Sequence, residues 1–161
     1  MIFQKEKPDI ILLAHTAIYP PRAPIKAYPY EVYMWNTAQE YSGVAILIKK
    51  DIQHSLITRT FDGDTLAIQV ETSLGPIILG TNYSPPGRGY VPIRDIMWFS
   101  RHRLPAYLLA DLNAHHESFE SYTNDYGTVL YNTWLEEGYL RRIGPDRGPS
   151  HHTAAPSPNP I

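Results

Sequence analysis

The sequence predicts a mixed α/β (α+β) fold in which two β-sheets form a sandwich flanked by helices. The chain has 161 residues, 43% of them hydrophobic and 19% charged, which matches the length and apolar content of one globular domain. Apolar segments of strand length outnumber the segments with helical periodicity. A doubly wound parallel sheet would need more helices than this chain offers. A sandwich of two sheets covered by helices accounts for both observations.

Strands are predicted wherever a short apolar run or an alternation of apolar and polar residues occurs. Six segments qualify: 8–14, 30–36, 43–50, 64–72, 74–85 and 105–111. The continuous apolar runs at 8–14 and 105–111 predict buried strands, and we expect the first to be central in its sheet. The segments 64–72 and 74–85 are separated by a short turn, so they predict a hairpin.

Two segments have helical periodicity. The first, residues 91–103, has a proline near its first turn and spaces its apolar residues helically at Ile93, Ile96, Met97 and Phe99. The second, residues 124–138, begins at Asn124, which we predict to be the N-cap, and ends at Gly138. Residues 144–161 contain five prolines and no periodic element, so they are predicted to form a tail.

The composition excludes several classes of protein. The net charge is −2 and the sequence pI is about 6.4, which argues against a generic polybasic binder of nucleic acid or membranes. The chain has no cysteine, so it forms no disulfide and no thiolate metal site. No apolar run has the length of a membrane span, and the N-terminus lacks a signal-peptide segment. We therefore expect an intracellular protein that is not bound to a membrane.

The segment "PAYLLADLNAHH" ends a predicted strand on a carboxylate. If the extended backbone continues, Asp111 and Asn113 project to the same side, because successive strand residues alternate. Asp111 can orient or deprotonate a water molecule, and Asn113 can donate a hydrogen bond to a phosphoryl oxygen. Alternatively, Asp111 caps the following turn with its own side chain.

The segment "TNYSPPGRGY" is the second candidate for a functional motif. Tyr83 ends a predicted strand, and Arg88 lies in the Pro- and Gly-rich loop that follows. A phenol and a guanidinium at a strand exit suit contact with phosphate, since Arg offers a planar fork of donors. Alternatively, the tyrosine anchors the turn and the arginine is solvated.

Taken together, these motifs resemble the endonuclease/exonuclease/phosphatase superfamily, and within it the endonuclease domain of jockey-type non-LTR retrotransposons. The likeness is carried by "SGVAILIKKDIQH", "DTLAIQVETSLGPIILGTNYSPP" and "PAYLLADLNAHHESF". It implies a deoxyribonuclease I-like sandwich and hydrolysis of a DNA phosphodiester with Mg²⁺ or Mn²⁺. The implied product is a nick in target DNA that primes reverse transcription. The implied partners are DNA and a reverse transcriptase domain of the same polyprotein, and the implied location is the nucleus.

The resemblance also assigns roles to individual residues. Tyr83 matches the active-site tyrosine, Asp111 the water-activating aspartate and Asn113 its neighbouring asparagine, and Arg88 falls in a loop that contacts the DNA backbone. His15, in the segment "LLAHT", occupies the position of the family's metal-binding glutamate. Imidazole suits zinc or later transition metals better than Mg²⁺, which prefers oxygen ligands.

The likeness covers only the middle of the family's domain. Residues 1–143 are therefore predicted to be a partial domain, and residues 144–161 the start of its C-terminal part. In "SPNPI", Asn159 occupies the position of a supporting aspartate. The resemblance implies a fragment with little or no nuclease activity in isolation and with an exposed sheet edge that lowers its stability.

Three other functions are compatible with parts of the sequence. A non-catalytic domain of the same fold that binds nucleic acid or a protein would explain the substitution at His15. The pairs His115–His116 and His151–His152 raise the possibility of zinc, but neither pair has the spacing of a two-histidine helical clamp. A calcineurin-like phosphoesterase needs an early Asp-x-His, and Leu13 precedes His15 at that spacing.

Overall fold

The chain divides into two compact units, Met1–Asn113 and Ala114–Ile161. The computed structural model describes residues 7–17, 26–35, 42–58, 61–86, 91–118, 122–132, 140–141 and 143. In this part of the chain, no helix is long and apolar enough to cross a membrane.

The first unit is a sandwich of two β-sheets, as the sequence predicts. Its seven strands are β1 (Ile10–Ala14), β2 (Tyr30–Trp35), β3 (Val44–Lys49), β4 (His54–Leu56), β5 (Asp64–Val70), β6 (Ile77–Tyr83) and β7 (Ala106–Asp111). One sheet has the order β1-β3-β2 and is antiparallel. The other has the order β4-β5-β6-β7 and is mixed, because β6 and β7 run parallel. The predicted hairpin is the β5–β6 pair.

The core between the sheets is built from alternating residues of the central strands. Its buried members are Val44, Ile46, Ile48, Leu66, Ile68, Val70 and Tyr83. Inward side chains of β1 pack against this cluster, and Thr81 Oγ1 donates to Leu13 O at 3.1 Å, which ties β6 to β1.

A helix, α1 (Ile93–Ser100), covers the outer face of the mixed sheet. Phe99 packs there with Phe61, Ala67 and Ile78. A side chain at Gly80 would collide with the Phe99 ring, so the strand beneath α1 requires glycine at this point. The helix lies inside the predicted segment 91–103.

Two strand predictions are wrong about burial. Strand β1 is half-buried and lies at an edge of its sheet in the described residues, whereas β3 is central. Strand β7 was also expected to be buried, yet Tyr107 is 47% and Leu109 is 49% exposed. Each of these strands has a neighbouring strand on one side only in the described residues, which leaves its other side open. The short strand β4 was not predicted, because "HSL" has neither the length nor the alternation of a strand signal.

Tyr33 of β2 connects the two sheets. Its hydroxyl donates to Glu31 Oε1 at 2.8 Å and lies 3.0 Å from His54 Nε2 of β4. Burial, together with the hydrogen bond to Glu31 and the charge of that carboxylate, raises the pKa of Tyr33 to about 12. Tyrosines in an unfolded chain titrate near pH 10, so the folded state holds this proton more tightly.

The raised pKa of Tyr33 predicts a loss of stability at alkaline pH. The contribution of Tyr33 is complete below about pH 10 and is lost as the pH rises through about 12. We expect Tyr33→Phe to remove this part of the fall in unfolding free energy, measured by urea titrations from about pH 9 to 12. Tyr28→Phe, at a side chain that is 92% exposed, serves as the control. An identical alkaline profile for wild type and Tyr33→Phe would contradict the assignment.

The second unit contains the helix α2 (Asp125–Leu130). Asn124 is its N-cap, as predicted: Oδ1 accepts from Gly127 N at 2.8 Å and from His115 N at 3.0 Å. The predicted end of this helix at Gly138 lies outside the described residues.

Candidate active site

Tyr83 and Asp111 lie side by side at the carboxyl ends of two parallel strands. β6 ends at Tyr83, β7 ends at Asp111, and the strand register pairs the two residues directly. Residues paired across neighbouring strands point to the same face of a sheet. Tyr83 is only 4% exposed, whereas Asp111 is exposed. The end of the mixed sheet therefore presents a solvent-accessible carboxylate beside a buried phenol.

His15 completes this group from the other sheet. Its ring stacks flat on the ring of Tyr83, with 4.5 Å between the ring centroids and 2° between the planes. His15 directly follows β1 and has a φ of 54°, which breaks the strand alternation. The next residue stays paired to the segment before β3, because Thr16 N donates to Gly43 O at 3.0 Å. The imidazole is exposed on a backbone held against the sandwich.

Asp64 is a further site residue, and the sequence reasoning missed it. It begins β5 and is the register partner of Tyr83 on the side opposite Asp111. It is fully buried, and Oδ2 accepts from Gly43 N at 3.2 Å. One signal was available, since Asp64 occupies the inward phase of β5 that Leu66 and Ile68 continue. A carboxylate in an apolar phase marks a special environment.

The surroundings of Tyr83 keep its hydroxyl protonated. Burial raises the pKa of Tyr83, and the negative charges of Asp111 and Asp64 raise it further. At neutral pH the residue is therefore a neutral phenol that carries a proton to donate. It can give a hydrogen bond to an anionic oxygen, such as that of a phosphate.

Asn113 lies in the same group, but not by strand alternation. It has a φ of 49°, so the extended backbone ends at Asp111, and the condition for strand alternation at Asn113 is not met. Instead Asn113 N donates to Asp111 Oδ1 at 3.3 Å, which is the turn contact considered as an alternative from sequence. The side-chain Nδ2 of Asn113 donates to Ser84 O at 2.8 Å, and Ser84 N donates to Asp111 O at 2.8 Å. These contacts join the exits of β6 and β7.

The described residues do not provide a magnesium site. No group of three or more histidines, aspartates and glutamates in this part of the chain is arranged to hold a metal. The exposed donors beside Tyr83 are the Asp111 carboxylate and the His15 imidazole. Mg²⁺ prefers oxygen ligands in near-octahedral geometry, so this donor set does not fit it.

Two predicted site residues, Arg88 and Asn159, lie outside the described residues, and so does the pair His151–His152. In the second unit, His115 stacks on Tyr122 at 4.3 Å between ring centroids. His116 stacks on Tyr131 at 4.0 Å. Both histidines are thus engaged by aromatic rings.

Comparison with known proteins identifies the family of this chain. The profile of the endonuclease/exonuclease/phosphatase family matches residues 1–160. None of the curated proteins matches the chain. Among solved structures, the catalytic domain of human nocturnin with a bound sulfate anion is similar, with a TM-score of 0.49 and 13% sequence identity. That likeness covers 83% of this chain and 59% of the nocturnin domain. Because the family profile matches almost every residue of this chain, the chain belongs to the endonuclease/exonuclease/phosphatase family.

Proposed function

We propose that this chain is the middle part of a phosphodiesterase domain that nicks DNA, of the type found in jockey-like non-LTR retrotransposons. The observation that carries the proposal is the direct pairing of Tyr83 with Asp111 at the ends of β6 and β7, with His15 stacked on the phenol. The motifs around these residues supply the likeness to retrotransposon endonucleases. The substrate is then target DNA, in the nucleus, and a reverse transcriptase domain of the same polyprotein would use the nick.

Each residue has a role in the proposed reaction. Asp111 is exposed and accepts the proton of an attacking water molecule, or orients that molecule toward phosphorus. As the new P–O bond forms, the P–O bond to the leaving sugar oxygen breaks, and that oxygen takes a proton from solvent. Tyr83, protonated at neutral pH, donates to a non-bridging phosphoryl oxygen as charge develops there. The side chain of Asn113 holds the segment after β7 against the segment after β6 by donating to Ser84 O. Its backbone N–H holds the carboxylate of Asp111.

Members of this family generally use divalent metal ions, and Mg²⁺ or Mn²⁺ remains our prediction for the intact domain. Because the donor set beside Tyr83 does not suit Mg²⁺, we derive no step through a metal. His15 is the residue that accounts for the mismatch: an imidazole at this position offers nitrogen where the related endonucleases supply a carboxylate. We therefore expect slow turnover by this chain.

His15→Glu is expected to increase Mg²⁺ affinity by about tenfold or more, because it replaces a nitrogen donor with a second exposed carboxylate, and Mg²⁺ prefers oxygen ligands. Isothermal titration calorimetry measures the affinity directly, so the result does not depend on activity. Leu74→Glu is the matched control, since it adds a carboxylate at a turn residue that is 98% exposed. Equal Mg²⁺ affinities for the two variants would show that His15 does not occupy a metal position.

Nicking of supercoiled plasmid with Mg²⁺ or Mn²⁺ tests the proposed function. We expect slow nicking by the chain, none by Asp111→Ala, and faster nicking when further sequence of the same domain is joined to both ends. Nicking that survives Asp111→Ala would refute the mechanism.

A second candidate is a non-catalytic domain of the same fold that binds nucleic acid or a protein. The observation that favours it is again His15, together with the incomplete donor set. The two candidates differ in one result: a non-catalytic domain does not nick plasmid even when His15→Glu and the additional sequence are combined.

A further inference from the structure

The outward face of α1 is basic and aromatic. Arg94, Met97, Trp98 and Arg101 recur at intervals of three or four residues, which puts them on one side of the helix and its C-terminal cap. The opposite side carries Asp95, Ile96 and Phe99, which are buried. The two arginines are therefore not required for the apolar contact between α1 and the mixed sheet, whereas Trp98 is half-buried and one edge of its ring packs against Phe61 and Phe99.

These side chains line an open groove of about 580 Å³, together with His102 and Arg103 from the connection to β7. Arg101 and Arg103 are exposed, and the side chain of Arg94 is 81% exposed. Arg94 Nε forms a long ion pair with Asp62 Oδ2 at 3.7 Å, and the exposed guanidinium stays accessible to a ligand. The groove thus concentrates three guanidinium groups in a chain whose net charge is −2.

The acidic residue of α1 does not neutralise the groove. Asp95 is fully buried on the other side of the helix. Its carboxylate accepts from Asp62 N at 3.0 Å, Gly63 N at 3.0 Å and Thr65 Oγ1 at 2.7 Å. The carboxylate is therefore hydrogen-bonded at the start of β5 and faces away from the groove.

Trp98 adds an aromatic ring to the groove, and His102 adds a hydrogen-bond donor. The indole of Trp98 lies against the His102 ring, with 4.7 Å between the centroids, and meets Phe61 and Phe99 edge-on. Leu104 N donates to His102 Nδ1 at 3.1 Å, so the proton of the neutral imidazole is on Nε2. That N–H is then a donor for a ligand in the groove.

We propose that this groove is a second binding site, for a single-stranded segment of nucleic acid. Guanidinium groups bind phosphates through paired N–H donors, and an indole offers a stacking surface for a base. A basic groove with an aromatic platform is the combination that single strands require. The groove is also separate from Tyr83 and Asp111: Arg103 precedes β7 and Asp111 ends it, and the strand between them is about 17 Å long.

Binding of a fluorescent oligothymidylate of about 12 nucleotides, measured by anisotropy, tests the proposal. The test variant combines Arg94→Ala, Arg101→Ala and Arg103→Ala. The control combines Lys7→Ala, Lys26→Ala and Lys50→Ala, which are exposed residues outside the groove and change the net charge equally. We expect the arginine variant to bind the oligonucleotide about tenfold more weakly or worse. The plot of log affinity against log salt concentration should also become less steep, by about 2 in the magnitude of its slope. The lysine variant should stay within about twofold of wild type.

Trp98 distinguishes nucleic acid from other polyanions. Base stacking should quench the tryptophan fluorescence of the wild type but not that of Trp98→Phe. Trp35→Phe is the control: Trp35 is 48% exposed, and its replacement should leave the quenching intact. Equal losses of affinity in the arginine and lysine variants would overturn the proposal, because net charge alone would then explain binding. Heparin binding as tight as the oligonucleotide, without quenching through Trp98, would also overturn it. The readout is oligonucleotide binding at the arginines and quenching at Trp98, so a failure of this site and a failure of the proposed nicking reaction give different results.

Discussion

Asp111→Asn is expected to lower the rate of plasmid nicking by about 10²- to 10⁴-fold, the usual contribution of a positioned general base. An amide has the shape of the carboxylate but cannot accept the proton of a water molecule at neutral pH. The Oδ1 of asparagine still accepts the hydrogen bond from Asn113 N, so the turn after β7 is retained. Because residue 111 is exposed, the fold should be unaffected.

Initial rates of nicking over a range of enzyme concentrations measure this effect. Glu71→Gln is a matched control, since Glu71 is an exposed acidic residue that follows β5 at the far end of the sheet. The control should nick at the wild-type rate. A loss below about threefold in Asp111→Asn would remove Asp111 from the mechanism, because a general base contributes far more.

Asp95→Ala is expected to lower the free energy of unfolding of the first unit by about 3–5 kcal/mol, since it leaves two buried donors and one partly buried donor without an acceptor. The Asp95 carboxylate accepts from two backbone N–H groups, of Asp62 and Gly63, and from the hydroxyl of Thr65. Thr65 Oγ1 in turn accepts from Asn82 Nδ2 at 2.7 Å. This network joins α1 to the strands that carry Asp64 and Tyr83.

Urea unfolding followed by circular dichroism gives the change in free energy. Arg94→Ala is the neighbouring control, and its exposed side chain should contribute within about 0.5 kcal/mol. A loss below about 1 kcal/mol in Asp95→Ala would mean that water replaces the carboxylate, and that the network does not hold the helix to the sheet.

Local patterns predicted the type of most elements. The alternation in Asp64–Val70 and the buried run in Val44–Lys49 gave strands with nearly correct bounds. Asn124 was recognised as an N-cap because its side chain competes well for free N–H groups at a helix start. These signals depend only on neighbours in sequence, so a single sequence contains them.

The position of a strand within its sheet could not be predicted in the same way. Ile10–Ala14 and Ala106–Asp111 are as apolar as a central strand, yet both have only one neighbouring strand in the described residues. Sheet order depends on contacts between residues far apart in the chain. An apolar run predicts that a segment forms a strand, but it does not predict which strands lie beside that strand.

The sequence predicted only part of the candidate site, because the rest depends on contacts between distant residues and on backbone conformations that the sequence does not signal. Tyr83 and Asp111 were expected because both end apolar strands, and the parallel register brings them together. The stacking of His15 on Tyr83 follows from a left-handed backbone conformation that the sequence does not signal at a histidine. Asn113 also has a positive φ, and strand alternation therefore failed there.

A double-mutant cycle on Tyr83 and Asp111 tests the central claim, that these two residues serve one reaction. The nicking rates of wild type, Tyr83→Phe, Asp111→Asn and the double variant are compared. If both residues act on the same phosphate, the double variant should be within about twofold of the slower single variant, because groups that act as a unit are not additive. Single effects that multiply in the double variant would contradict a shared site.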